Sequence, residues 1–197
     1  MSLFHSDAFL AFRSRDFSLL SVNQLCLILT IMIQEVVIAY SIYQLTQNPL
    51  SLGMIALIEL LPFICLSLIS GDWADRYNRQ KIVQWSFSCS TLIPLLFIVL
   101  FSQYQQQHIQ QNTLLCGIYS LIFCLGILRG IYSPSFNSLR PFLTPESAYS
   151  NAATWTALIW QIGGILAPLC AGLLLGQLGL EKTFFIVFFL CCVGSIC

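Results

Sequence analysis

The chain has 197 residues, of which 57% are hydrophobic and 8% are charged. A soluble globular domain carries roughly 25% charged residues, so this composition excludes a soluble protein of this size. Eight basic residues balance eight acidic residues, and the sequence therefore predicts no nucleic-acid partner.

Two long stretches of the chain contain no charged residue at all. They lie between Lys81 and Arg129 and between Glu146 and Glu181. A membrane-spanning helix needs about 20 consecutive apolar residues, and both stretches exceed that length. We therefore expect an all-α, polytopic membrane protein whose surroundings are the lipid bilayer.

The first half of the chain predicts three helices in order. Residues 1–17 lack the apolar core of a cleavable signal peptide and form a cytoplasmic N-terminal segment. The six-helix bundle then occupies 18–197. Its first helix covers 18–45, Asn48-Pro49 makes a turn, and the following helices cover 52–71 and 82–101. The charged stretch GDWADRYNRQK forms the loop between helices 2 and 3.

The second half predicts three further helices, at 113–132, 149–176 and 182–197. The segment SPSFNSLRPFLTPE contains three prolines and predicts a long connection between helices 4 and 5. A helix from Lys182 to the end of the chain rises about 22 Å, less than the ~30 Å hydrocarbon core. We therefore expect that the last helix is truncated and that a parent protein continues beyond it.

The basic residues predict the orientation, because they accumulate in cytoplasmic loops. With the N-terminus in the cytoplasm, the outer side holds Lys182 alone. The inner side then holds Arg13, Arg15, Arg76, Arg79, Lys81 and Arg140.

Glu35, Glu59 and Arg129 lie well inside predicted helices, where a charge is costly and indicates a functional role. Helical rise places the two glutamates in the outer half of the membrane and Arg129 near the cytoplasmic side. The glutamates either face one cavity and share a proton or are neutral acids that fix helix packing, with Gln34 as a partner. Arg129 either extends to the interface, or it binds an anionic substrate group or biases a neighbouring acid.

Cofactor, metal and enzymatic chemistry find little support in the sequence. The nine cysteines lie in apolar stretches without a CxxC pair, and the two histidines lie in polar segments. HExxH and GxSxG motifs are missing from the sequence. We therefore predict no cofactor, no metal and no enzymatic activity.

Two glycine pairs, Gly126-x-x-x-Gly130 and Gly172-x-x-x-Gly176, permit close helix packing. The loop after helix 2 resembles the loop signature of the major facilitator superfamily. Asn78 replaces the usual glycine of that signature, and asparagine tolerates a left-handed turn. The matching residues are Gly71, Ala74, Asp75, Arg76 and Arg79, with Lys81 as a further base.

Helix 5 carries a second resemblance, because GGILAPLCAG is similar to the superfamily's antiporter signature. The residues concerned are Gly163, Gly164, Pro168 and Gly172. Leu125 and Arg129 fit the start of a third signature, the rest of which is absent. Three further segments resemble bacterial macrolide-efflux and siderophore-export carriers. They are YQLTQNPLSLG, IELLPF and GILRGIYSPSFNSLRPFLTPE.

These resemblances imply the N-terminal half of a twelve-helix, proton-driven carrier in the bacterial inner membrane, with a small amphipathic substrate bound between two halves. The 71–81 loop would be a gate, with Asp75 holding the cytoplasmic side closed. The second half would come from a missing C-terminal segment or a second copy. The alternative is a truncated membrane protein that does not transport, or an interaction module.

Overall fold

The computed structural model describes residues 12, 15–76, 78–143 and 149–196. This part of the chain folds into five α-helices. They are α1 (Arg15–Thr46), α2 (Pro49–Arg76), α3 (Arg79–Gln105), α4 (Gln111–Leu143) and α5 (Tyr149–Ile196). All five are long and apolar enough to cross a membrane. The all-α, polytopic architecture agrees with the prediction, although one element, α5, covers the two helices expected at 149–176 and 182–197.

The difference in helix number arises at Gly179, which interrupts α5 with φ 79° and ψ 178°. Glycine adopts this conformation readily because it has no Cβ. Asn23 Nδ2 donates to the Gly194 carbonyl at 2.6 Å, and the next side chain, that of Gln24, donates to the Thr156 carbonyl at 3.4 Å. A straight helix would separate those two carbonyls by roughly 57 Å. Therefore α5 is a hairpin with a first arm (149–178) and a second arm (180–196).

The predicted loop between helices 2 and 3 is mostly helical, which corrects the expectation. Helix α2 continues to Arg76, and α3 begins at Arg79. Asn78 is not in a left-handed turn, because its φ is −66° and its ψ is 108°. Instead, its side-chain oxygen accepts hydrogen bonds from the backbone N–H groups of Gln80 and Lys81, as an N-cap residue does.

The predicted long connection after Tyr132 is also wrong in its first part, because α4 continues to Leu143. Pro134 lies inside this extension and lacks the N–H that would bond the carbonyl of Gly130. Ser70 of α2 supplies the missing donor, with Oγ 2.6 Å from that carbonyl. Because a neighbouring helix satisfies the released carbonyl, the proline does not end α4.

The hydrophobic core lies between α1, α3, α4 and both arms of α5. The rings of Phe97 and Phe184 stack with centroids 5.2 Å apart. Ile42 from α1 and Ile118 from α4 are fully buried in the same cluster. Helix α2 lies at the side of this core. Of the five candidate membrane spans, that of α2 has the smallest fraction of buried residues.

Helix α2 packs closely against α4 because α4 presents two glycines to it. A Cβ at Gly126 would collide with the backbone oxygen of Glu59 and would lie 2.7 Å from Pro62 Cγ. A Cβ at Gly130 would lie 3.0 Å from the backbone oxygen of Phe63. The first glycine pair is therefore a packing surface. At Gly172 and Gly176 an added Cβ would meet no described atom within 4 Å.

We predict that Gly126→Ala destabilises the protein by about 1–3 kcal/mol, since the added methyl group must push α2 and α4 apart. Gly172→Ala is the matched control, because its methyl group meets no described neighbour and alanine favours the helix. Thermal unfolding in detergent, followed by circular dichroism, measures both variants. Equal stability of the two variants would contradict the close packing of α2 and α4.

Candidate functional site: a charged cluster between three helices

Three ionisable side chains from three helices meet inside the bundle. Arg129 of α4 donates from Nη2 to Glu35 Oε1 of α1 at 2.7 Å, and its Nη1 donates to Glu59 Oε1 of α2. We call Glu35, Glu59 and Arg129 the charged cluster. One guanidinium thus joins two carboxylates and, through them, three helices.

The sequence of α4 explains why this contact forms. Arg129 lies between Gly126 and Gly130, the residues against which α2 packs. Their lack of side chains lets the backbone of α2 approach, and Glu59 is thereby brought to the guanidinium. The close helix packing and the ion pair therefore depend on the same short stretch of α4.

A small cavity of about 20 Å³ adjoins the charged cluster. A volume of this size accommodates roughly one water molecule. Gln34 is 4% exposed, and its Nε2 has no hydrogen-bond partner in the described part of the chain. The other residues around the cavity are apolar, namely Ile31, Ile38, Ile55, Ile122 and Leu125.

The three charged side chains differ in exposure. Glu59 is 15% exposed and Arg129 is 22% exposed, whereas Glu35 is 44% exposed. Attraction between charges is stronger in apolar surroundings than in water. The Glu59–Arg129 pair is consequently the enclosed part of the cluster, and Glu35 is the member that is most accessible from outside.

The charged cluster contains all three ionisable residues that the sequence singled out in the spans, but Arg129 lies elsewhere than expected. Because α4 continues to Leu143, Arg129 is an interior residue of a long helix, and its contacts place it level with the two glutamates and not in the opposite half of the bundle. Its guanidinium binds the two glutamates. Gln34 lines the same cavity, although no hydrogen bond joins it to either glutamate within the described residues.

The residues of the loop signature lie away from the charged cluster, at the junction of α2 and α3. Gly71 is half-buried and Lys81 is exposed. The side chains of Asp75, Arg76 and Arg79 lie outside the described residues. The gating role of this segment thus stays a prediction.

The helix 5 signature divides between two sides of the first arm of α5. A Cβ at Gly163 would collide with Ile28 of α1, whereas an added Cβ at Gly164 or Gly172 would meet no described atom within 4 Å. Pro168 is exposed. Only Gly163 of these four residues therefore mediates close packing within the described bundle.

Sequence reasoning allowed Arg129 a neighbouring acid but did not identify Glu35 and Glu59 as its partners, and it missed the contact between Ser70 and the Gly130 carbonyl. The contacts of Arg129 had one signal in the sequence, because the residue lies between Gly126 and Gly130 and therefore on a close-packing surface. Across the described residues, no group of three or more His, Cys, Asp or Glu side chains could hold a metal ion.

Comparison with known proteins identifies the family. A family model described as Major Facilitator Superfamily matches residues 20–197. The staphyloferrin A transporter of Staphylococcus aureus (strain NCTC 8325 / PS 47) is 26% identical over 137 residues, which cover 70% of this chain and 33% of that protein. The uncharacterized MFS-type transporter YfiS of Bacillus subtilis (strain 168) is 24% identical over 150 residues, which cover 76% of this chain and 33% of that protein.

The multi-drug resistance efflux pump PmrA of Streptococcus pneumoniae serotype 4 (strain ATCC BAA-334 / TIGR4) is 27% identical over 117 residues, covering 59% of this chain and 26% of the pump. These matches thus span a third or less of each relative. No solved structure matches significantly. The family model covers most of the chain and agrees with its apolar helices: this multi-pass membrane protein belongs to the Major Facilitator Superfamily, a family of transporters rather than of enzymes.

Proposed function

We propose that this chain is part of a proton-coupled carrier that exports a small amphipathic molecule across the bacterial inner membrane. The observation that carries the proposal is the single guanidinium of Arg129 between two carboxylates. The relatives named for siderophore transport and multidrug efflux support export. The amphipathic substrate and the proton as coupling ion both belong to the proposal.

Charge balance leads from the charged cluster to a proton. Arg129 neutralises one carboxylate, and it is the one cation among the described residues that line the small cavity. A second carboxylate in apolar surroundings without its own counter-charge is costly. We therefore infer that Glu35 and Glu59 together hold one proton, which a carrier can exchange between the two sides of the membrane.

The accessible member of the charged cluster gives the proton a route. Glu35 is 44% exposed, so a proton can reach it before the enclosed Glu59. The neighbouring cavity has room for about one water molecule, which would connect the two carboxylates. In this proposal, Arg129 keeps the remaining carboxylate ionised and in position.

We predict one protonated carboxyl group in this cluster at neutral pH, observable as its infrared carbonyl band. Glu35→Gln should remove the band, because the remaining carboxylate balances Arg129. Arg129→Gln should raise the number of protonated carboxyl groups from one to two, because neither glutamate then has a counter-charge. Glu181→Gln in the α5 turn is the control and should leave the band unchanged. A band that persists in both Glu35→Gln and Glu59→Gln would contradict proton sharing.

Transport is tested with Hoechst 33342, an amphipathic aromatic dye, in inverted vesicles that contain the product of this gene. Glu59→Gln should lose proton-gradient-driven dye movement at least tenfold, within the range found when a proton-transfer group is removed. The Asp75→Asn variant should also lose gradient-driven dye movement if the segment with the loop signature is a gate. Glu181→Gln should keep the wild-type rate. Gradient-driven movement at the normal rate in Glu59→Gln would rule out coupling through this carboxyl group.

The second part of the carrier is also a proposal. The curated relatives are about three times as long as the segments that match this chain, and α2 exposes apolar side chains such as Leu57, Leu61 and Leu68. We infer that further helices cover this face, either in the same polypeptide or in a second copy. Denaturing mass spectrometry of the protein from its natural membrane separates the two arrangements: a polypeptide about twice 22.1 kDa would indicate the first, and a polypeptide of 22.1 kDa would exclude it.

We further propose that the N-terminus is cytoplasmic, since the basic residues accumulate on that side. Lys81 and Lys182 are the two lysines of the sequence, lie at opposite ends of the bundle and are exposed. A membrane-impermeant amine reagent applied to intact cells should therefore modify Lys182 and leave Lys81 unmodified until the cells are permeabilised. Peptide mass spectrometry measures both sites, and the reverse pattern would overturn the orientation.

A further inference from the structure

A second cavity, of about 140 Å³, lies between α1, α4 and the first arm of α5. Ile31 lines both this cavity and the smaller one beside the charged cluster. The side chains that matter for its chemistry are three polar and three aromatic ones. They are Gln24, Ser133 and Asn137 together with Tyr132, Phe136 and Trp160.

The polar side chains of this cavity have unused hydrogen-bonding groups. Gln24 is 3% exposed, and its Nε2 donates to the Thr156 carbonyl at 3.4 Å. Its Oε1 takes part in no hydrogen bond with the described residues, and the same holds for the side chains of Ser133 and Asn137. Gln24 lines the cavity, so its amide oxygen is available to accept a hydrogen bond from a donor on a bound molecule.

The aromatic side chains provide flat apolar surfaces around these polar groups. Tyr132 and Phe136 form one wall, with ring centroids 5.9 Å apart. Trp160 contributes a large ring that is 48% exposed. Apolar walls with a few convergent polar groups are typical of small-molecule sites, and flat rings favour contact with an aromatic ligand.

The lining of the cavity is uncharged. Its lining contains no acidic or basic side chain within the described residues. A charged group bound there would have no counter-charge, which is costly at membrane depth. The adjacent charged cluster does not remove this cost, since Glu35, Glu59 and Arg129 already pair with one another.

We propose that this cavity binds an uncharged aromatic group that carries a hydrogen-bond donor, such as a phenolic hydroxyl. The ring lies against Tyr132, Phe136 and Trp160, and the donor bonds Gln24 Oε1. This inference names the substrate class of the proposed carrier and in that sense rests on the proposed function. Binding itself requires no proton gradient, so the two are tested separately.

The test uses three bicyclic probes of the same aromatic skeleton, namely neutral 2-naphthol, anionic naphthalene-2-sulfonate and cationic 2-naphthylmethylammonium. Equilibrium dialysis measures their binding to the chain in lipid nanodiscs at one pH, with binding to empty nanodiscs subtracted. We expect 2-naphthol to bind at least tenfold more tightly than either charged probe. Equal or tighter binding of a charged probe would overturn the inference.

Matched variants locate the binding. Trp160→Ala should weaken 2-naphthol binding about fivefold, as expected for a lost aromatic contact, whereas Trp85→Ala should not. Trp85 is 73% exposed and does not line the cavity. Asn137→Ala should weaken binding severalfold, and Asn112→Ala at the other end of α4 should not.

Three results would overturn this inference. They are unchanged affinity in both Trp160→Ala and Asn137→Ala, equal losses in the control variants, and no 2-naphthol binding above empty nanodiscs. If one of these three results is found together with normal gradient-driven dye movement, the binding site is rejected and the proposed transport function is retained. Selective 2-naphthol binding combined with dye movement that is independent of the gradient would instead reject the coupling and keep the binding site.

Discussion

One guanidinium shared by two carboxylates is the constraint on which this helix bundle depends. Each of these charges alone would cost several kcal/mol in apolar surroundings, as a general estimate for buried ions, and each becomes tolerable only in contact with an opposite charge. Helix α2 lies beside the core and has few other buried residues. Its position is therefore set largely by the Glu59–Arg129 contact and by the two glycines that make that contact sterically accessible.

The physics of the bilayer made much of the fold predictable. Apolar stretches had to become helices, and the first helix, predicted at 18–45, is observed at Arg15–Thr46. The same reasoning singled out Glu35, Glu59 and Arg129, because ionisable residues in apolar stretches need partners. Depth was harder to predict. Arg129 was expected near the opposite side of the membrane from the two glutamates, whereas its contacts place all three at one level of the bundle.

What the sequence could not predict depends on contacts between distant residues. Pro134 indicates the end of a helix when only its own segment is considered, and the carbonyl that it leaves free accepts a hydrogen bond from Ser70, more than sixty positions earlier. The second cavity likewise combines Gln24, Asn137 and Trp160 from three helices. No local pattern connects these residues, and only helix packing brings them to one space.

The hydrogen bond from Ser70 to the Gly130 carbonyl has a mechanical consequence. Ser70 stands just before the segment that resembles the family's loop signature, and Gly130 is the immediate neighbour of Arg129. Helix α2 is continuous from Glu59 through Ser70. This hydrogen bond is therefore a further polar contact between α2 and α4, besides the Glu59–Arg129 pair. Sliding of the Ser70 end of α2 along α4 would have to break it, and would at the same time change the distance between Glu59 and the guanidinium. Such sliding would therefore couple displacement at the Ser70 end of α2 to charge separation at Glu59.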